Sequence, residues 1–142
     1  MSFEAAWSLQ TALFDRLSQD AALQALLGNP ARIHDAIPSD AVFPLLQIGA
    51  GKIAPYSGIE GAIEHTLRFS AFSRWGGRKE GKLIADRVRQ LLQNLRLPID
   101  GHVIVQSRMV FEDHLRFRDP DTFQATMRYR IVTIPDSIAS AA

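Results

Sequence analysis

Three segments of the chain alternate between apolar and polar residues, and this pattern constrains the fold more than any other feature of the sequence. The segments cover residues 63–73, 103–112 and 123–131. A period of two residues is that of a β-strand with one buried face, so each segment predicts a half-buried strand. The residues expected to face inward are Ile63, His65, Leu67, Phe69, Ala71, Val103, Val105, Met109, Phe111, Phe123, Ala125, Met127, Tyr129 and Ile131.

Helical periodicity appears in three other segments. Residues 78–95 are predicted to be the strongest helix, because apolar residues recur there every three to four positions from Ile84 to Leu95. A shorter helix is expected before Gly28, with Ser18 or Asp20 as its N-cap. The N-terminal segment predicts a helix whose buried stripe is formed by Phe3, Ala6, Trp7, Leu13, Phe14 and Leu17.

The order of the elements predicts an α+β domain over residues 1–135, with a mostly antiparallel sheet of about four strands and helices packed on one face. Residues 42–48 supply the first strand, and residues 32–34 have the composition of a short extended piece. The glycine-rich residues 49–61 are expected to form a long exposed loop. We expect residues 114–121 to form a charged turn that closes a hairpin, and residues 136–142 a flexible tail.

Composition excludes several classes of protein. A chain of 142 residues with 46% hydrophobic and 22% charged side chains is typical of one globular domain. The chain has no cysteine, which excludes disulfides, thiol nucleophiles and cysteine-bound metals and fits a reducing compartment. No apolar run approaches the roughly 20 residues of a membrane span, and we expect no secretory signal at residues 1–4.

The chemically active residue types form no catalytic pattern. The four histidines lack the i, i+4 spacing of zinc ligands, and His65 is expected to be a core histidine. Residues 49–52 end in Gly-Lys after a strand, but Pro55 prevents the helix that a phosphate-binding loop requires. No serine has the context of an activated nucleophile. We therefore predict no catalytic residue, no cofactor site and no metal site.

Arginine side chains occupy the outward positions of the alternating segments. If the strands are neighbours, Arg68, Arg108, Arg128 and Arg130 form a positive stripe across one face of the sheet. Such a stripe is compatible with a solvated face paired with Glu64 and Glu112, with an arginine-rich protein interface, or with contacts to nucleic-acid phosphates. The outward positions carry no aromatic residue in this interpretation, which argues against base stacking.

Charge is distributed unevenly along the chain. Residues 1–67 hold three basic and seven acidic side chains, a net of −4, whereas residues 68–142 hold thirteen basic and eight acidic, a net of +5. This asymmetry is compatible with a polyanionic partner and with complementary flanks between copies of the chain.

Four motifs together resemble the tail-completion, or tail terminator, proteins of long-tailed phages and gene transfer agents, over residues 3–134. The first is the N-terminal helix followed by the Asp20-Ala21-Ala22-Leu23 helix start. The second is Arg32-Ile33-His34-Asp35-Ala36-Ile37-Pro38 leading into Phe43-Pro44-Leu45-Leu46-Gln47-Ile48-Gly49. The third is the strand from Glu64 to Arg74 that feeds Gly77-Arg78-Lys79-Glu80 and a long helix. The fourth is Phe117-Arg118-Asp119-Pro120-Asp121 before the closing strand.

The resemblance implies an α+β structural subunit of a virion that performs no reaction. Such subunits assemble as a ring, usually six-fold, on the head-proximal end of a tail tube, stop its growth and join it to the capsid connector. The implied partners are further copies of the chain, the tail tube protein and the connector protein, with DNA passing through the lumen. We expect residues 49–62 and 113–121 to contact the tube or connector. The side chains expected at interfaces are Arg68, Arg108, Arg128, Arg130, Lys52, Tyr56, Arg116 and Arg118.

Two alternatives remain open at the level of the sequence. One is a nucleic-acid-binding α+β module that uses the arginine-rich face of the sheet. The other is a small-molecule enzyme or carrier that uses His65 or His34 in a pocket. A packed, inaccessible His65 argues against the second.

Overall fold

A computed structural model describes residues 2–74, 77–117 and 121–141. Within those residues the chain forms four helices and six strands. The elements in chain order are α1 (Ser2–Ser18), α2 (Ala21–Leu27), β1 (Ile33–His34), β2 (Leu45–Pro55), β3 (Ile63–Ser73), α3 (Lys79–Leu92), β4 (Leu97–Ile99), β5 (His102–Arg116), β6 (Phe123–Pro135) and α4 (Asp136–Ala141).

The strands form one sheet in the order β1-β2-β3-β6-β5-β4. The α+β class is confirmed, but the prediction of about four antiparallel strands is wrong. The sheet has six strands in the described part of the chain, and β1 pairs with β2 in parallel. The edge strands β1 and β4 contain only two and three residues. Strands of this length are too short to show a recognisable alternating pattern.

The core lies between one face of the sheet and the helices. Helix α3 packs on β3, β5 and β6, and α1 packs on β2, α2 and α3. The predicted inward residues of β3 and β6 are confirmed where the pattern is clearest: Phe69, Met127 and Tyr129 are fully buried. The helices add the buried side chains Leu9, Leu13, Leu17, Leu23, Leu27, Ile84, Val88 and Leu92.

The position of helix α2 depends on its N-cap residue, Asp20. Asp20 accepts a hydrogen bond from the backbone N–H of Leu23 at 3.0 Å, so it is the N-cap that the sequence offered beside Ser18. Its other carboxylate oxygen lies 2.6 Å from Nη2 of Arg87 on α3. The Arg87 guanidinium holds the pKa of this carboxyl below its usual value. One aspartate thus starts α2 and ties it to α3.

The predicted loop over residues 49–61 is largely a strand. β2 continues to Pro55, and only residues 56–62 connect it to β3. A register irregularity between Ile48 and Gly51 lies in the glycine-rich stretch. A Cβ atom on Gly51 would lie 3.1 Å from the side chain of Leu67, so glycine here allows close approach of neighbouring strands. Glycines in this strand mark close packing and not a flexible loop.

The inward and outward sides of β5 differ from the predicted alternation. Register shifts occur between Ile104 and Gln106 and between Met109 and Phe111. As a result Ile104 is in the core and Phe111 is 44% exposed, the reverse of what the alternation indicates. Each shift adds a residue to one strand only, which moves the following side chains to the other face.

Helix α1 is rotated relative to the prediction. Its buried residues follow an i, i+4 row formed by Ala5, Leu9, Leu13 and Leu17, all without solvent exposure. Trp7 is 67% exposed and Phe14 is 41% exposed, so neither belongs to the buried stripe as expected. The helix carries apolar residues on more than one side, and contact with β2 and α3 selects the aliphatic row.

The ends of the remaining elements differ modestly from the sequence interpretation. Helix α3 ends at Leu92, three residues before the predicted end, and Asn94 adopts a left-handed conformation with φ 61°. β5 extends to Arg116, so the turn is shorter than predicted, and residues 118–120 lie outside the described residues. The segment expected to be a flexible tail contains helix α4, and its flexibility stays a prediction.

In the described residues no helix is long and apolar enough to cross a membrane.

Truncation of neighbouring residues on α1 tests the orientation of this helix. Leu13→Ala should lower the free energy of unfolding by roughly 2–5 kcal/mol, because it leaves a cavity in the core. Phe14→Ala should cost less than half as much, because Phe14 is already 41% exposed. Urea denaturation of both variants gives the comparison, and equal losses would contradict the orientation.

Candidate functional site

The face of the sheet opposite α1–α3 gathers basic side chains from four strands. Arg68 of β3 lies directly opposite Arg128 of β6, and Arg108 of β5 lies opposite Arg130. Lys52 and Arg130 flank Thr66 on its two sides. We call these five basic residues the arginine face. Directly opposed side chains are about 5 Å apart at Cβ, so the sheet places like charges side by side.

Only part of this charge is balanced by carboxylates. Oε1 of Glu64 lies 3.6 Å from Nε of Arg130, as the solvated-face interpretation predicted. Glu112, the second predicted partner, lies on the helix side, where Oε1 accepts a hydrogen bond from Arg89 at 3.0 Å and Oε2 pairs with Nε2 of His114 at 2.7 Å. Among the described residues no carboxylate forms an ion pair with the other four members of the arginine face.

An aromatic side chain completes the arginine face. The second register shift of β5 places Phe111 opposite Arg128, with the guanidinium carbon 5.1 Å from the ring centroid. A cation at this distance is attracted by the π-electrons of the ring. The prediction that the outward positions lack aromatic residues is therefore wrong. Four members of the arginine face also line a groove of about 330 Å³. Its walls are formed by Gly51, Lys52, Thr66, Leu67, Arg68, Val110, Arg128 and Arg130.

Exposed apolar residues continue from Phe111 toward the end of the β5–β6 hairpin. We call Val110, Phe111, Leu115 and Phe117 the hairpin strip; each is between 39% and 45% exposed. The ring of Phe117 packs edge-to-face on Phe72 with centroids 5.8 Å apart. Exposed aromatic residues beside arginines are typical of protein interfaces. The sequence did not reveal this strip, because the alternation placed Phe111 inside and the predicted turn over residues 114–121 included Leu115 and Phe117.

The other predicted interface residues lie away from the arginine face. Tyr56 follows β2 at one end of the sheet, where it lines a second groove. Arg116 lies at the opposite end, with its guanidinium carbon 5.6 Å from the ring centroid of Phe123. Arg118 lies outside the described residues. The structure thus unites Lys52 with the four sheet arginines and separates Tyr56 and Arg116 from them.

His65 is a core residue, as predicted. The side chain is 1% exposed, and Nε2 lies 2.9 Å from the hydroxyl oxygen of Thr133. Burial, with a smaller contribution from nearby His102, lowers the pKa of His65 to about 4, so the ring is neutral at pH 7. A buried, neutral imidazole has no access to a substrate. Within the described ranges no group of three or more histidine, aspartate or glutamate side chains could hold a metal ion.

Comparisons with known proteins agree with this architecture. A family model described as tail completion protein gp17 matches residues 11–134. A solved chain from the structure entitled "Virion of native gene transfer agent (GTA) particle" superposes with a TM-score of 0.81 at 23% sequence identity. The match covers 90% of this chain and 96% of that chain, and at this identity it shows the fold. A search of curated proteins finds no match.

The buried histidine predicts an acid-sensitive fold. The pKa of His65 is about 4 in the folded chain and about 6.5 when unfolded, so the unfolded state binds more protons between these values. Stability from this residue is present above pH 6.5 and is lost as the pH falls through 4, by about 3 kcal/mol at most. Urea denaturation from pH 7 to pH 4 measures this loss.

His65→Gln is expected to remove this part of the pH dependence, although it lowers stability at pH 7. His34→Gln, at a half-buried position on β1, is the matched control and should retain the wild-type slope. A His65→Gln curve parallel to the wild type over the whole range would contradict the assignment.

Proposed function

The chain belongs to the tail completion protein gp17 family, and on this premise we propose that it is the subunit of a ring at the head-proximal end of a phage-type tail tube. The chain is a structural protein of the tail. The ring, six-fold by the resemblance described above, stops growth of the tube and joins the tail to the capsid connector. The observation that carries the proposal is the family match over residues 11–134, nearly the whole chain.

The proposed partners are further copies of the chain, the tail tube protein and the connector protein. The chain that superposes on this fold comes from a gene transfer agent virion, which supports a location in the virion. Assembly would take place in the host cytoplasm, and DNA would pass through the lumen without specific binding. The chain performs no reaction in this role.

The arginine face and the hairpin strip are the proposed contact surfaces. Arginine and aromatic residues are enriched where protein interfaces are buried, because both combine apolar area with directional contacts. A closed ring is built from heterologous contacts, in which two different surfaces of each subunit meet. Arg68, Arg108, Arg128 and Arg130 would then line a subunit interface or the lumen wall.

A second candidate, a nucleic-acid-binding module, is favoured by one observation. Phe111 lies under Arg128 on the exposed face, where an aromatic ring is available for stacking against a base. Such binding requires steep salt dependence, with log affinity falling by about 0.9 per phosphate neutralised.

The ring is tested by native mass measurement across a concentration series, with negative-stain images of the same samples. Closed rings at high concentration are the expected result. A strain that lacks this chain should also accumulate unjoined heads and overlong tails. Joined particles with tails of normal length in that strain would contradict the proposed function.

Charge reversal tests the role of the arginine face. Arg108→Glu combined with Arg128→Glu should abolish rings and tail joining, because it turns two central cations of the face into anions. Lys82→Glu combined with Arg96→Glu makes the same change in net charge at exposed helix-side and loop positions, and should leave both intact. Intact rings in the first variant would contradict the interface role, and loss of salt-dependent DNA binding in that variant would favour the second candidate.

A further inference from the structure

An apolar groove of about 520 Å³ opens at the end of the sheet that lies away from the hairpin. Its walls are the β2–β3 turn, the start of β5 and the end of β6. The walls include Ile53, Tyr56, Ile59, Ile63, His102 and Pro135. We call this pocket the end groove.

The end groove is a fixed feature of the backbone. The N–H of Tyr56 donates to the carbonyl oxygen of Ala62 at 2.9 Å, and that of Asp136 donates to Gly101 at 3.1 Å. A Cβ atom on Gly61, where φ is +77°, would lie 2.7 Å from the Pro135 ring. The turn is therefore packed closely against the end of β6.

Apolar side chains remain exposed in the end groove, and the segments that form its walls carry exposed acidic residues. Ile53 is 41%, Tyr56 36% and Ile59 42% exposed. The exposed carboxylates of Glu60, Asp100 and Asp136 belong to the three segments that form the walls. Residues 53–64, 97–104 and 133–138 contain no lysine or arginine. The groove therefore suits an apolar segment that carries positive charge beside it.

The hairpin strip has this chemistry at Phe111, which is exposed and directly opposite Arg128, itself opposite Arg68. Leu115, four residues farther toward the hairpin turn, is also exposed. It cannot enter the end groove of its own chain. The groove lies where Thr133 pairs with Ile63, and Leu115 pairs with Gln124. The nine residue steps from Gln124 to Thr133 on β6 correspond to roughly 30 Å at about 3.3 Å per residue. Only a second copy of the chain can supply the strip.

We propose that the end groove of one copy binds the hairpin strip of a second copy. Apolar side chains of the strip fill the groove, while Glu60, Asp100 and Asp136 face the arginines beside the strip. The two surfaces are different and lie at opposite ends of one molecule, so the contact is heterologous and repeats from copy to copy. This pairing rests on the proposed ring and identifies the surfaces that join its subunits.

Single cysteines test the pairing directly, because the natural chain has none. Full-length Ile59→Cys and Leu115→Cys variants are mixed and oxidised, and non-reducing electrophoresis should show a disulfide-linked dimer that contains one of each. The 30 Å separation prevents this bond within one chain, since disulfides require Cα atoms closer than about 7 Å. Gln90→Cys, at an exposed position of α3, replaces Leu115→Cys in the matched control and should give at least about tenfold less mixed dimer.

Two results would overturn the pairing. One is mixed dimer no more abundant with Leu115→Cys than with Gln90→Cys. The other is efficient linkage of Ile59→Cys to Trp7→Cys instead, which would identify the exposed tryptophan of α1 as the occupant. Native mass of the unmodified chain separates this pairing from the proposed ring. Rings without a disulfide between Ile59→Cys and Leu115→Cys refute the pairing alone. The absence of both rings and this disulfide at any concentration refutes both proposals in solution.

A charge substitution supplies an independent measurement without oxidation. Leu115→Glu adds a carboxylate that would face Glu60 and Asp100, and should weaken association by about tenfold or more, as judged by native mass against concentration. Gln90→Glu adds the same charge outside the proposed contact and should not change association. Circular dichroism checks that both variants fold. Association of folded Leu115→Glu equal to that of Gln90→Glu would overturn the pairing.

Discussion

The antiparallel pairing of β3 with β6 is the constraint on which the other features depend. The two strands stay in register from Ile63 opposite Thr133 to Ser73 opposite Phe123, without a bulge. Because side chains alternate between faces, this register places Phe69 and Tyr129 together in the core, with ring centroids 5.6 Å apart. The same register places Arg68 against Arg128 on the open face. One pairing therefore determines both the core and the arginine face.

The register irregularities of β5 change which side chains the open face of the sheet carries. In β5, the shift after Met109 moves Phe111 onto the open face beside Arg128 and leaves Glu112 on the helix side, where it pairs with Arg89. A regular strand would have buried the ring and exposed the carboxylate next to the arginines. The bulge thus increases both the apolar area and the positive charge of the open face.

The like charges of the arginine face lower the stability of the sheet in the isolated chain. Like charges opposite each other on neighbouring strands destabilise a sheet, and among the described carboxylates only Glu64 forms an ion pair with these basic residues. A partner molecule that supplies negative charge would offset this destabilisation. The exposed carboxylates of Glu60, Asp100 and Asp136, in the segments around the end groove, would supply such charge from a second copy of the chain. The roughly 30 Å that separate the hairpin strip from the end groove along the strands favour contacts between copies over contacts within one copy.

The sequence by itself determined the elements whose signal is local. Alternation predicted β3 and β6, helical periodicity predicted α3, and the Asp20 cap predicted the start of α2, because each depends on residues that are neighbours along the chain. The tertiary structure alone decided the features that depend on distant partners. These are the strand identity of the glycine-rich residues 49–55, the rotation of α1 that exposes Trp7, the edge strand β4 and the side of β5 that Phe111 occupies. A bulge or a helix rotation follows from which neighbour the element packs against, and a short window of sequence does not contain that neighbour.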